Sequence, residues 1–134
     1  MKKQLLIISA IFIGSITLLS LNSNEMSQEP WEVPAKYKKM KNPYLDKSDS
    51  ENIGRILYSK HCKSCHGKKG LGDGTKAESV DTKMPDLTSA DFKKQTDGSL
   101  YYKTYIGRDD MPSFNKKITD KEDQWMVINY IKNL

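Results

Sequence analysis

Cysteine and histidine are scarce in this chain, two of each among 134 residues. Two cysteines cannot build a disulfide-rich scaffold, and a structural zinc site needs four protein ligands of the kind this chain almost lacks. Strand-like segments are missing too. Nothing alternates strand with helix, so a thioredoxin-like redox pair has no sheet to sit on. Nor is the charge strongly one-sided. The net charge of +5 includes Lys2 and Lys3; without residues 1–23 it rests on 20 basic against 17 acidic residues. A surplus that small is a poor argument for nucleic acid.

What the chain does have is a concentration of its rare residues. Both cysteines and one histidine fall in Cys62-Lys63-Ser64-Cys65-His66. On a helix, positions 62, 65 and 66 stand as i, i+3 and i+4, so two sulfurs and an imidazole project to one side. Two thiols so placed can add to the two vinyl groups of one porphyrin while the imidazole ligates its iron. This spacing is the attachment signature of a c-type haem, and it predicts one covalently attached haem c. Lys63 and Ser64 are unconstrained by it. A zinc site would have to take His61 as fourth ligand, and His61 is packed against the same turn. A disulfide across so short a loop would constrain little of the unfolded chain.

The chain opens with Met1-Lys2-Lys3, then a charge-free run from Leu5 to Leu21. Residues 1–23 read as an export signal. The run is long for the apolar part of a signal and short for a membrane span, so cleavage near Ser20 or Ser23 and retention as an N-terminal membrane anchor both stay open, with membrane association through residues 5–21. No cysteine directly follows the run to take a lipid. Export to the periplasm, or to the extracytoplasmic face of the cytoplasmic membrane, agrees with haem attachment, which takes place on that side.

Residues 24–48 form a Pro/Lys-rich linker or arm. Pro30, Pro34 and Pro43 argue against a continuous helix. The composition suits a solvated linker; the alternative is an ordered arm whose Trp31 and Tyr44 pack on the domain or on a partner.

Residues 49–134 form one domain, small enough to benefit from a covalent staple. Ser48 and Glu51 make a capping box for a first helix that carries Ile53, Ile56, Leu57 and Tyr58 toward the core and ends at Cys62. Gly54 inside it costs about 1 kcal/mol relative to alanine, which suggests close approach by another backbone. The four glycines of Gly67 to Gly74 mark tight turns. Short helices are expected over Ser89 to Phe92 and from Asp97 or Ser99 to Ile106, closed by Gly107. Thr119 and Glu122 make a second capping box, opening a last helix with Trp125, Val127, Ile128, Tyr130, Ile131 and Leu134 apolar. The fold class is all-α, with one or two short helices and long loops around the haem.

A low-spin haem needs a second axial ligand, and thioether sulfur raises its potential. Met26 and Met40 precede the domain, and Met126 lies among core positions of the last helix. Of Met84 and Met111, Met111 is preferred because it stands 45 residues after His66, enough chain to cross the haem edge and return. Met84 is closer, and the carbonyl of Pro85 is the candidate acceptor for the other ring N–H of His66.

From about Glu51 onward the chain resembles the class I cytochromes c with a single haem. The resemblance rests on Cys62, Cys65 and His66, on Pro85-Asp86-Leu87, and on Met111-Pro112-Ser113-Phe114. It implies first and last helices that cross, with Gly54 and Tyr58 against Val127, Tyr130 and Ile131. It also implies an electron-transfer protein, not an enzyme, carrying single electrons between redox partner proteins of the respiratory chain. Lys60, Lys63, Lys68 and Lys69, with Lys116 and Lys117, offer a basic collar for acidic partners. Two alternatives stand: a membrane-anchored haem subunit of a respiratory or dehydrogenase complex, and a haem sensor or peroxidase with an open iron position.

Overall fold

The computed structural model describes residues 29–134. The segment read as export signal or anchor, and Met26, lie outside the described residues. In chain order the helices are α1 (Ala35–Lys38), α2 (Ile53–His61), α3 (Lys63–His66), a 3₁₀ turn (Ala77–Ser79), α4 (Ala90–Lys93), α5 (Asp97–Ile106) and α6 (Lys121–Lys132). Among the described residues there is no strand, only an isolated bridge between Arg108 and Met111, and no helix is long and apolar enough to cross a membrane. The fold is all-α, as the sequence leads one to expect.

The starts of α2 and α6 are set by carboxylates. At α2 the Asp49 side chain accepts from the amides of Ile53 at 2.7 Å and Gly54 at 2.8 Å. The expected Ser48/Glu51 capping box does not form, because Asn52 takes a left-handed conformation, φ 57°, and delays the helix to Ile53. The Thr119/Glu122 box is likewise displaced: Asp120 accepts from the amides of Glu122 and Asp123 at 2.8 and 3.1 Å. A carboxylate adds favourable charge at the positive end of a helix, which a hydroxyl cannot. Thr96 and Ser89 cap α5 and α4 through their hydroxyls, and Gly107 closes α5 with φ 77°.

Helices α2 and α6 cross at Gly54. A Cβ there would collide with the Met126 carbonyl and lie 2.9 Å from Tyr130 Cβ. One turn on, the Tyr58 and Tyr130 rings pack at 5.2 Å. Gly54 and Tyr58, four apart, define the buried face of α2. Ile56 stands two residues from each and so projects away from it; contrary to expectation it is exposed, at 49%. Beneath the crossing lie Leu87, Leu100, Tyr101, Tyr105, Phe114, Ile118, Trp125, Val127, Ile128 and Ile131.

One polar residue is fully buried among them. Gln124 donates to the Ile118 carbonyl at 2.6 Å and accepts from the Tyr101 hydroxyl, while Tyr105 donates to the Gln124 carbonyl at 2.8 Å. These bonds join α5, α6 and the loop between them, and they satisfy the polar atoms that burial would otherwise strand.

Residues 29–47 lie along the domain. Val33 is buried, Tyr37 packs on Tyr102 at 4.7 Å, and Gly98 makes room for the carbonyls of Tyr37 and Met40. Asn129 of α6 donates to the Tyr44 carbonyl at 2.9 Å and accepts from Asn42 at 2.6 Å.

Candidate haem site

The site is built where α2 gives way to α3. Cys62 N–H still donates to Tyr58 at 2.8 Å, and the amides of Cys65 and His66 return to the Cys62 carbonyl at 3.2 and 3.0 Å. One helical turn thus carries both sulfurs and the imidazole, with both thiols free. Burial, and secondarily Cys65, pushes the Cys62 thiol up to about 12. It therefore stays protonated and is not poised as a thiolate. Burial also holds His66 below its ordinary value, leaving a neutral imidazole able to act as a ligand.

The glycine-rich loop folds back over this turn. Gly72, Gly74 and Lys76 donate their amides to the carbonyls of His66, Cys65 and Ser64 at 3.0, 3.1 and 2.7 Å. These are carbonyls that a short helix leaves without partners. Tyr58 donates its hydroxyl to Gly67 at 2.7 Å. Gly72, at φ 78°, lies so close to Met84 that a Cβ would fall 2.8 Å from its carbonyl oxygen. Leu87 N–H donates to Gly70 at 2.7 Å. Met84 and Pro85 are thereby pinned beside the motif.

The other wall comes from the loop after α5. Arg108 and Met111 exchange two backbone hydrogen bonds of 2.9 Å around Asp109, whose φ is 52°. Ser113 Oγ donates to the Tyr105 carbonyl at 2.6 Å. Asp110 accepts from the Thr82 amide at 2.9 Å, tying this loop to the segment that leads into Met84.

Between these walls lies a cavity with two lobes of about 460 and 290 Å³, within the range of small-molecule and cofactor sites. Trp31, Cys62, His66, Pro85, Arg108 and Met111 line both lobes; Cys65 and Met84 line only the larger. All five residues singled out from sequence, Cys62, Cys65, His66, Pro85 and Met111, therefore face one space. The hydrogen bond anticipated from His66 to the Pro85 carbonyl is not made: His66 Nδ1 is buried and without a partner. Leaving that nitrogen unpaired costs about 1–3 kcal/mol. Two free thiols, an unpartnered neutral imidazole and a largely apolar cavity fit a haem held through both sulfurs.

Trp31, Lys103 and Arg108 also line the cavity. Trp31 stands 31 residues ahead of the motif, and no local pattern ties it to the site. Lys103 carries no sequence signal that separates it from other surface lysines.

Residues 49–131 match the family model described as Cytochrome C oxidase, cbb3-type, subunit III. No curated protein matches the chain. The matched segment begins at the Asp49 cap and runs to the end of the α2–α6 crossing, leaving the arm outside it. A domain of this kind holds haem c covalently and works by haem-based electron transfer, and the geometry described above suits both. The chain belongs to that family of c-type cytochrome domains.

Proposed function

We propose that this protein is a monohaem c-type cytochrome that carries single electrons between redox partner proteins of the respiratory chain on the extracytoplasmic side of the membrane. The observation that carries the reading is the gathering of Cys62, Cys65, His66 and Met111 on one cavity. With two cysteines in the whole sequence, there is one attachment site and one haem. The haem supplies reversible one-electron chemistry when bound. Cys62 and Cys65 tether it, His66 provides the proximal nitrogen, and Met111 provides the distal sulfur. Met111 is favoured over Met84 because it lines both lobes, and because paired backbone hydrogen bonds with Arg108 fix its loop. Pro85 lines the same cavity, although its carbonyl takes no hydrogen bond from His66 Nδ1.

The lysines at 60, 63, 68, 69, 116 and 117 are all exposed, as a collar that attracts acidic partners requires. Electron-transfer rates with a physiological partner should fall as ionic strength rises; rates indifferent to salt would remove the collar. The family description favours a second reading, a haem subunit fixed to a respiratory or dehydrogenase complex through residues 5–21. Carbonate extraction of membranes separates the two, since a protein washed from the membrane has no retained anchor. A sensor or peroxidase would show a high-spin spectrum and would bind carbon monoxide in the untreated ferrous form.

A further inference from the structure

The smaller lobe of the cavity is walled in part by Glu29, Pro30 and Trp31, which precede the segment that matches the family. Arg108 lies over Trp31, its Cζ 4.7 Å from the ring centre, and its Nη1 donates to the Glu29 carbonyl at 3.2 Å. Lys103 of α5 comes to the same ring, Nζ at 5.8 Å. One aromatic side chain of the arm therefore gathers two cations from different elements.

Those cations are under-compensated. Arg108 pairs with Asp109 at 3.1 Å, but that carboxylate is 60% exposed. Lys103 has only a neutral acceptor, Gln95 Oε1 at 2.6 Å. Burial first, and then Arg108, hold the Lys103 ammonium below its ordinary value. Two like charges converging on a half-buried, mostly apolar lobe are unfavourable unless an anion lies between them. The lysines of the larger lobe, Lys60, Lys76 and Lys117, are exposed and need no such partner.

A haem carries two ionised propionates on one edge, and an apolar cavity must receive them where cations are. Building on the reading that Cys62, Cys65 and His66 hold a haem, we propose that the arm is part of the site: Trp31 holds Arg108 and Lys103 over the smaller lobe as the seat of the haem propionates. Arg108 and Lys103 bind the carboxylates, and Trp31 positions them. Positive charge beside the propionates favours the reduced state, so loosening the seat lowers the midpoint potential.

The test uses the full-length holoprotein and two readouts, the propionate bending mode in the resonance Raman spectrum and an equilibrium redox titration. Arg108→Gln and Lys103→Gln should each move that mode to lower frequency and lower the potential. Arg108→Lys should restore most of both. Trp31→Ala should act in the same direction although it removes no charge, while Trp31→Phe stays near wild type. Lys94→Gln, which removes a charge paired with Asp91 on the surface, should leave the mode in place. If Trp31→Ala does not fold, the Arg108 and Lys103 variants carry the test alone. A propionate mode unmoved in Arg108→Gln and Lys103→Gln, with the low-spin spectrum intact, overturns the seat. A wild-type protein without a low-spin c-type spectrum overturns the haem reading beneath it.

Discussion

Gly54 of α2 rests directly on the backbone of α6 at Met126, so close that one added methyl group has nowhere to go. The neighbour is a carbonyl inside a helix, which cannot swing aside as a side-chain tip would. Gly54→Ala should therefore destabilise the protein by about 1–3 kcal/mol, even though alanine is the better helix former. Thermal unfolding of the holoprotein measures this; a variant as stable as wild type would mean that the helices do not cross at this point.

The buried Gln124 makes a second prediction. Gln124→Leu keeps the volume but strands the Ile118 carbonyl and removes the acceptor of the Tyr101 hydroxyl, which keeps only the Lys121 ammonium at 3.1 Å. A loss of about 2–3 kcal/mol is expected, against about 1 kcal/mol for Tyr105→Phe, which removes one neutral bond. Urea unfolding of both variants checks the order, and a reversal would show that Gln124 is not the hub of the network.

Cys62 provides a chemical test in protein made without haem. In Cys65→Ser the remaining thiol keeps the burial that pushes it up, the larger of its two causes, and loses the contribution of Cys65. Its alkylation at pH 8 should run well below that of an ordinary cysteine and rise about tenfold per pH unit. A rate that levels off near pH 9 would contradict the burial of Cys62 beside the cavity.

Asp86 sets a pH dependence. The Thr88 hydroxyl at 2.6 Å and the Thr88 amide at 2.7 Å hold its carboxylate below the ordinary 3.8. A depressed carboxylate contributes stability above the unfolded value, and that contribution disappears as pH falls through the folded one. The melting temperature of wild type should exceed that of Asp86→Ala at pH 6, and the gap should narrow once the pH drops below 3.8. A gap that persists unchanged at pH 2 would mean that the carboxylate's charge is not what steadies the turn after Pro85.

Local chemistry was legible in the sequence and distant packing was not. The spacing of Cys62, Cys65 and His66 survives translation into one helical turn because only five residues are involved. Gly107 announces the end of α5, since a left-handed residue there is cheapest as glycine. The cap slipped by one residue at α6, to Asp120, while at α2 the N-cap moved on to Asn52 with Asp49 reaching forward to the first amides. Serine, threonine and aspartate are all good caps, and the choice among them was made by Asn52 and by the packing of the helix that follows. The course of the arm is fixed by contacts such as Asn129 to Tyr44, 85 residues apart, which leave no periodic trace. The same holds for Trp31 and its two cations: they come from three separate elements, and only the fold brings them together.

The most direct test of the account is the absorption spectrum of the ferric and ferrous protein, extended to the weak near-infrared band of an iron–methionine sulfur bond in the ferric state, recorded for wild type and for Met111→Ala. The account predicts a low-spin c-type spectrum with that band in wild type, and in Met111→Ala loss of the band, high-spin character and carbon monoxide binding to the ferrous form. A low-spin spectrum with the band retained in Met111→Ala would contradict it and move the distal ligand to Met84.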